Sequence, residues 1–424
     1  MAHPLPGRLC FDRPITFPLS AIRIDGEARK DNSEYKLNIG AALLREIKIM
    51  CVTKSWICLI FTVVLLCGGY KDVQAQPPAG GYYEEDVNSS NGLRTEQARE
   101  LDDYILKQKS DASRLHLLFR PDYSSPAAYT ASTKLLRRAF CDSIGYPPPG
   151  APDPGPPSFE KIGEDALGDY FRVKISILPG VHAEGIYIVP KRLKGRAPLV
   201  ISMHGGGGSP EAALFHGGAN YHDMVRGAVK RGYAVFAPQH LFSAQGFPGD
   251  IRNKIDTRMR LIGTSLTAVE ILKITRGLDV LLKRPEVDPH RVAMVGLSYG
   301  GYYALVTPAV DPRIKVVVSS CYFGVQEGRY ARDELSVPSD FQFKDRFSLF
   351  RDSELVALIC PRPLQIQAGS HDDSDHRDPG VLLAPASAEY YNKLGVPDLF
   401  QHLVLEGGHE FYDEPAWGFI KKYL

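Results

Sequence analysis

Charge of one sign is what this 424-residue chain most plainly lacks: 50 Lys and Arg against 49 Asp and Glu leave a formal net charge of +1. A nucleic-acid binder normally carries a basic excess or stripe, so no nucleic-acid partner is expected. No Cys-x-x-Cys pair occurs, which leaves structural zinc without support. The apolar runs fall short of the about 20 residues that a membrane span needs, and no internal repeat stands out. Cysteine is sparse where it would matter. Of seven cysteines, Cys10, Cys51, Cys58 and Cys67 lie near the N-terminus, leaving Cys141, Cys321 and Cys360. Cys321 ends one expected strand and Cys360 precedes the next, so parallel neighbours would hold these thiols on the order of 15 Å apart. A disulfide needs Cα atoms within about 7 Å, so that pair is not expected to form. What remains, 44% hydrophobic and 23% charged residues, is ordinary globular composition with ample length for a large core.

The N-terminus reads as an address. Lys54, a twelve-residue apolar run over 56–67, and small residues around Val73 and Ala75 are the three parts of a secretory signal. A lipid anchor on Cys67 is less well matched, because bulky Leu66 stands before it. Met50 lies where such a signal would begin, so residues 1–49 are expected to be an upstream extension of the reading frame. The alternative is a cytoplasmic tail before an uncleaved anchor. Cleavage near Ala75 predicts a secreted or periplasmic protein with no stable membrane span.

Residues 76–157 read as a disordered lead-in, a helical segment and a Pro-rich spacer, with helices over 95–113 and 126–144. Their few apolar residues cannot make a separate core, so both helices are expected to dock on the main domain. From 158 to 424 the pattern is that of one catalytic domain. A hairpin over 170–189 is followed by short apolar strands alternating with amphipathic helices, which predicts an α/β fold: a mostly parallel sheet covered on both faces. In such sheets the reactive groups gather on loops at the carboxyl ends of strands.

One such end is Gly296-Leu-Ser-Tyr-Gly300. A serine on a sharp strand-to-helix turn needs flanking glycines, because a Cβ at either would crowd the turn; Ser298 is thus a candidate nucleophile. A serine hydroxyl is weak at neutral pH and needs a base. His409 follows the last expected strand, and Asp372 follows the strand over 364–368, with Asp373 and Asp375 as rivals for the acid. The chain order Ser298, Asp372, His409 is that of α/β-hydrolases. The glycines of His204-Gly-Gly-Gly-Gly208 follow another strand. There Gly205 and Gly206, with the Tyr299 N–H, are expected to donate to an oxyanion. No Gly-Lys-Ser/Thr follows them, so a phosphate loop is not supported. The cluster from His371 to Asp378 lacks the central glycine and terminal glutamate of a calcium loop and is expected to be a solvated acidic loop. No metal and no cofactor are expected. Connections over 239–262 and 322–352 bring aromatic residues that suit sugar rings or aryl esters, and equally suit packing under a lid.

Residues from about 170 onward resemble a secreted bacterial α/β-hydrolase of the dienelactone hydrolase and acetyl xylan esterase type. The likeness rests on the His204 glycines, Gly263-Thr-Ser-Leu266, Arg284-Pro-Glu-Val-Asp-Pro289, the Ser298 elbow, Cys360-Pro-Arg-Pro-Leu364 and Gly407-Gly-His-Glu-Phe411. It implies Ser298, Asp372 and His409 as a catalytic triad. A dienelactone hydrolase proper carries a cysteine nucleophile, so the serine favours ester deacylation, with acetylated polysaccharide or a small ester as substrate. Two rivals remain: a prolyl-oligopeptidase-type peptidase, and an inactive binding protein of the same fold.

Overall fold

A computed structural model of the chain describes residues 81, 86, 88–108, 112–150, 155–191, 193, 195–215, 220–242, 246–331 and 339–424. The expected signal over 50–75 and the segment before it lie outside these residues. Among the described residues, no helix is long and apolar enough to cross a membrane.

Ser90–Leu424 form one unit. It is organised by a sheet of β1 (Ser158–Glu164), β2 (Gly168–Leu178), β3 (Val181–Pro190), β4 (Ala197–Met203), β5 (Ala234–Pro238), β6 (Val287–Leu297), β7 (Val316–Ser320), β8 (Leu364–Gly369) and β9 (Phe400–Leu405). The spatial order is β1-β2-β3-β5-β4-β6-β7-β8-β9. β1, β2, β3 and β5 pair antiparallel. Every pairing from β5 through β9 is parallel. The expected hairpin is β2–β3. β1 is an addition that the sequence concealed: it is almost wholly exposed, so it carries no apolar alternation to read.

Side chains alternate across the sheet, as a period of two requires. Leu199, Ile201, Met203 and Met294 enter one core layer, while Val200, Ala293 and Val295 enter the other. The first layer is covered by α2 (Pro126–Ser132), α3 (Lys134–Ile144), α5 (Leu266–Leu281) and α6 (Tyr299–Val310), and the second by α9 (Asp413–Tyr423). Three further helices frame the site below: α4 (Ile251–Arg260), α7 (Val325–Ala331) and α8 (Ser374–Lys393).

The expectation for the N-terminal helices needs correcting. The single helix expected over 126–144 is two, with Thr133 capping one and starting the next. These do dock, burying Tyr129, Leu136, Phe140 and Ile144. The preceding helix, α1 (Asn91–Gln108), buries no residue, and it meets the main domain near its C-terminal end, where Tyr104, Ile105 and Gln108 line a cavity with Gln342 and Phe343. Its apolar positions are too sparse to make a continuous face, and Leu101 and Tyr104 stay exposed. Cys141, Cys321 and Cys360 are all free thiols.

Candidate active site

β6 ends at Leu297, and Ser298 takes φ 58° and ψ −116° before α6 begins. That left-handed backbone is strained for a residue with a Cβ, and it persists because the surroundings fix it. A Cβ on Gly300 would stand 2.1 Å from the Met203 carbonyl oxygen, and one on Gly296 would stand 2.1 Å from the Gly300 oxygen. Only bare backbone lets β4, β6 and α6 meet this closely. Ser298 N–H donates to the Ser320 oxygen at 2.8 Å, which ties the turn to the end of β7.

Two strands further along, the loops after β8 and β9 are laced together. Ser370 N–H donates to the Leu405 oxygen at 2.7 Å, and His371 N–H to the Gly407 oxygen at 2.8 Å. This brings Asp372 to His409: Oδ2 lies 2.8 Å and Oδ1 3.1 Å from Nδ1. The Asp373 N–H adds a 2.8 Å bond to Oδ1, while the Asp373 side chain faces solvent. Burial works to raise the Asp372 carboxyl, but the His409 bond, the His409 and His376 charges and the Asp373 N–H outweigh it and hold it below its ordinary range. An ionised Asp372 keeps the proton of His409 on Nδ1, leaving Nε2 as a lone-pair nitrogen. Glu410 braces this loop, accepting from Gly408 N–H at 3.0 Å and bonding His222 Nε2 at 2.6 Å. Among the described residues, no hydrogen bond joins the Ser298 hydroxyl to His409, whose ring bonds Asp372 through Nδ1.

The glycine loop after β4 lies beside Ser298, with a Gly205 Cβ placed 3.5 Å from that of Ser298. Gly205 itself departs from the expected role. Its N–H donates to the Tyr221 hydroxyl at 2.8 Å and is therefore already engaged. Gly206 and Tyr299 N–H have no acceptor among the described residues. His204 holds the loop from beneath: its Nδ1 meets the Gly205 oxygen at 2.9 Å, and its ring stacks on His240 at 3.7 Å. Burial pushes His204 down to about 4, so it is neutral at ordinary pH.

A cavity of about 330 Å³ opens at Ser298. Gly206, Phe242, Tyr299, Tyr322 and Phe341 line it on the aromatic side, and Gln326, Arg329 and His376 on the polar side. The Arg252 guanidinium lies 4.3 Å from both the Phe242 and Tyr299 rings and 2.9 Å from Asp340, which also accepts from the Tyr299 hydroxyl at 2.7 Å. This buried pair fixes the aromatic wall. Of the other aromatics in the two long connections, Phe323, Phe343 and Phe350 belong to the core and Phe247 is exposed. Gln326 and Arg329 carry no signal in the sequence, and His376 is expected there only as part of an acidic cluster. His376 meets His409 edge-on at 4.6 Å and stands 3.6 Å from Asp372. The cluster is less solvated than expected, since Asp372 is buried. Cys321, Asp372 and His409, and separately Asp372, Asp373 and His376, bring possible ligand atoms within 4.8 Å of one another.

A profile of the dienelactone hydrolase family matches residues 189–343, from the end of β3 past the elbow. YtaP of Bacillus subtilis (strain 168), provisionally described as a hydrolase, is 30% identical over 255 residues, covering 57% of this chain and 84% of that protein. The chain belongs to the dienelactone hydrolase family. Its fold is that of the α/β-hydrolases. A protein of Bacteroides fragilis NCTC 9343, provisionally described as an acetyl xylan esterase, superposes with a TM-score of 0.55 at 17% identity, over 72% of this chain and 82% of its own. A glucuronoyl esterase from Solibacter usitatus gives 0.50 at 16%, over 70% of this chain and 93% of its own. At such identities these two share the fold and nothing finer.

Proposed function

We propose that this family member is a secreted serine esterase, acting on carboxylic esters through Ser298, His409 and Asp372. One observation carries this: a serine on left-handed backbone at the end of β6, with a carboxylate-held imidazole on the loops after β8 and β9 of the same sheet. His409 Nε2 takes the Ser298 proton as the oxygen attacks the ester carbonyl. This transfer requires the Ser298 hydroxyl to come within hydrogen-bond reach of Nε2 in the substrate complex. Asp372 stabilises the imidazolium that forms. The Gly206 and Tyr299 N–H groups receive the oxyanion, His409 returns its proton to the leaving alcohol, and water then releases the acyl group by the same route. One structural neighbour is described as an acetyl xylan esterase, and that description supports acetylated carbohydrate as substrate. Export rests on the signal beginning at Met50, and N-terminal sequencing of the protein from culture medium is expected to start near Gln76.

Ser298→Ala is expected to lower 4-nitrophenyl acetate hydrolysis by about 10⁶-fold at unchanged melting temperature. The wild-type protein, quenched during turnover, is expected to carry the acetyl group on Ser298 by mass spectrometry. Retained turnover without that adduct removes Ser298 from the mechanism.

A further inference from the structure

Arg252 is 3% exposed, yet it has no part in the chemistry described above. It comes from α4, and its guanidinium enters a pocket closed by three rings: Phe242 and Tyr299 at 4.3 Å and Phe341 at 5.5 Å. Those three rings line the cavity at Ser298, and Arg252 stands behind them. Its charge is met by the fully buried Asp340 at 2.9 Å. Nε and Nη2 nevertheless lack a hydrogen-bond partner among the described residues. A buried ion pair left short of hydrogen bonds adds little stability, and neutral residues of similar volume often serve as well or better. A reason other than stability lies in what Arg252 touches.

Each ring at 4.3 Å leads to an oxyanion donor. Tyr299 supplies one through its backbone N–H, and its hydroxyl donates to Asp340 Oδ2 at 2.7 Å. Tyr303, one helical turn on, donates to the same oxygen at 3.2 Å. The Asp340 main-chain oxygen accepts from the Thr267 hydroxyl at 2.6 Å, so this carboxylate is itself held in place. Burial pushes the Asp340 carboxyl up, and the Arg252 charge is the largest influence opposing it. Gly206 supplies the second donor. The Phe242 ring presses on it, for a Cβ there would stand 2.7 Å from that ring. One guanidinium thus touches the ring of one donor residue and the ring that covers the other.

We propose that Arg252, paired with Asp340, is a positioning residue of the oxyanion site: it holds the Tyr299 and Gly206 N–H groups at the separation a tetrahedral oxygen requires. This rests on the esterase reading, because that oxygen forms only when Ser298 attacks. Donors set in advance need no reorganisation as charge develops, so loosening them lowers kcat and leaves KM nearly alone.

The test uses two ketones on the full-length protein. With phenethyl trifluoromethyl ketone, Ser298 Oγ bonds to the carbonyl carbon, its proton passes to His409, and the carbonyl oxygen becomes the oxyanion of a hemiketal. Phenethyl methyl ketone resists that addition and reports binding in the cavity alone. The double variant Arg252→Met, Asp340→Asn removes both charges together. It is expected to lower kcat and the affinity for the fluorinated ketone by about 100-fold each. KM and the affinity for the methyl ketone should stay within about threefold, at a melting temperature unchanged or raised. Arg252→Lys keeps the charge without the flat guanidinium face and should cost about tenfold in the ratio of the two affinities. Tyr299→Phe keeps the ring without its Asp340 bond and should cost about threefold. Should the double variant not fold, these two decide by the same ratio. Equal weakening of both ketones with a lower melting temperature makes the pair structural and overturns the proposal. A ratio unchanged in folded variants overturns it too, and leaves the esterase reading standing. Absence of a hemiketal signal by fluorine NMR in the parent protein defeats the Ser298 reading and takes this proposal with it.

Discussion

The two walls of the cavity are built by opposite means. On the reacting side, backbone is pressed against backbone: a single added Cβ at Gly300 would meet the Met203 oxygen at 2.1 Å. Across from the chemistry of the elbow, α7 and α8 contribute side chains, and among the described residues the buried amide nitrogen of Gln326 has no partner. The first wall tolerates no change without the strands moving apart. The second can change its side chains while its backbone stays in place, which is how one scaffold serves many substrates.

Substitutions can break that contrast. The largest effect after loss of the nucleophile is expected at the acid. Asp372→Asn should lower kcat by about 10⁴-fold, because the amide stabilises the wrong tautomer of His409. Asp373→Asn, whose side chain is exposed and whose N–H is retained, should stay within threefold; comparable losses in both would unseat Asp372. Next comes stability. Gly300→Ala is expected to cost about 3 kcal/mol or more by overpacking, read as a lower urea midpoint. Gln326→Leu should leave the midpoint unchanged or raise it by up to about 1 kcal/mol, since it removes an unsatisfied buried donor. If the two shift alike, the distinction between the walls is wrong.

The smallest effect concerns pH. His204 is neutral in the folded protein down to about 4, against an ordinary value of 6.5. Above 6.5 both states are neutral and stability is flat. Between 6.5 and 4 the unfolded chain takes a proton that the folded one refuses, so stability falls as pH falls, by roughly 3 kcal/mol in all. Burial pushes His240 the same way, so His204→Asn should flatten this slope in part and not abolish it. A slope unaltered by the substitution would place the pH dependence elsewhere.

How legible each part was follows from where its signal lies. The strands β4, β5, β7, β8 and the second half of β6 are buried on both faces and show as short apolar runs; β9 is half-buried, and β1 is exposed and shows as nothing. Ser298, Asp372 and His409 could be picked out as candidates because each follows a strand and each proposed role demands a particular residue type. Gly205 was misjudged as a free donor because its engagement depends on Tyr221, which lies 16 residues away and carries no local mark. Arg329 and Gln326 sit in a short helix whose sequence is that of any amphipathic turn. Nothing in their spacing reports which cavity they line.

The sequence by itself determined the parallel part of the sheet, the elbow and the chain order of the candidate residues, because periodicity, glycine placement and loop position are local properties of a chain. Only the tertiary structure decided which carboxylate meets His409, which glycine amide is left free, and which side chains are buried without partners. Those depend on atoms brought together from distant segments, and a hydrogen bond or a desolvated charge exists only once that approach has been made.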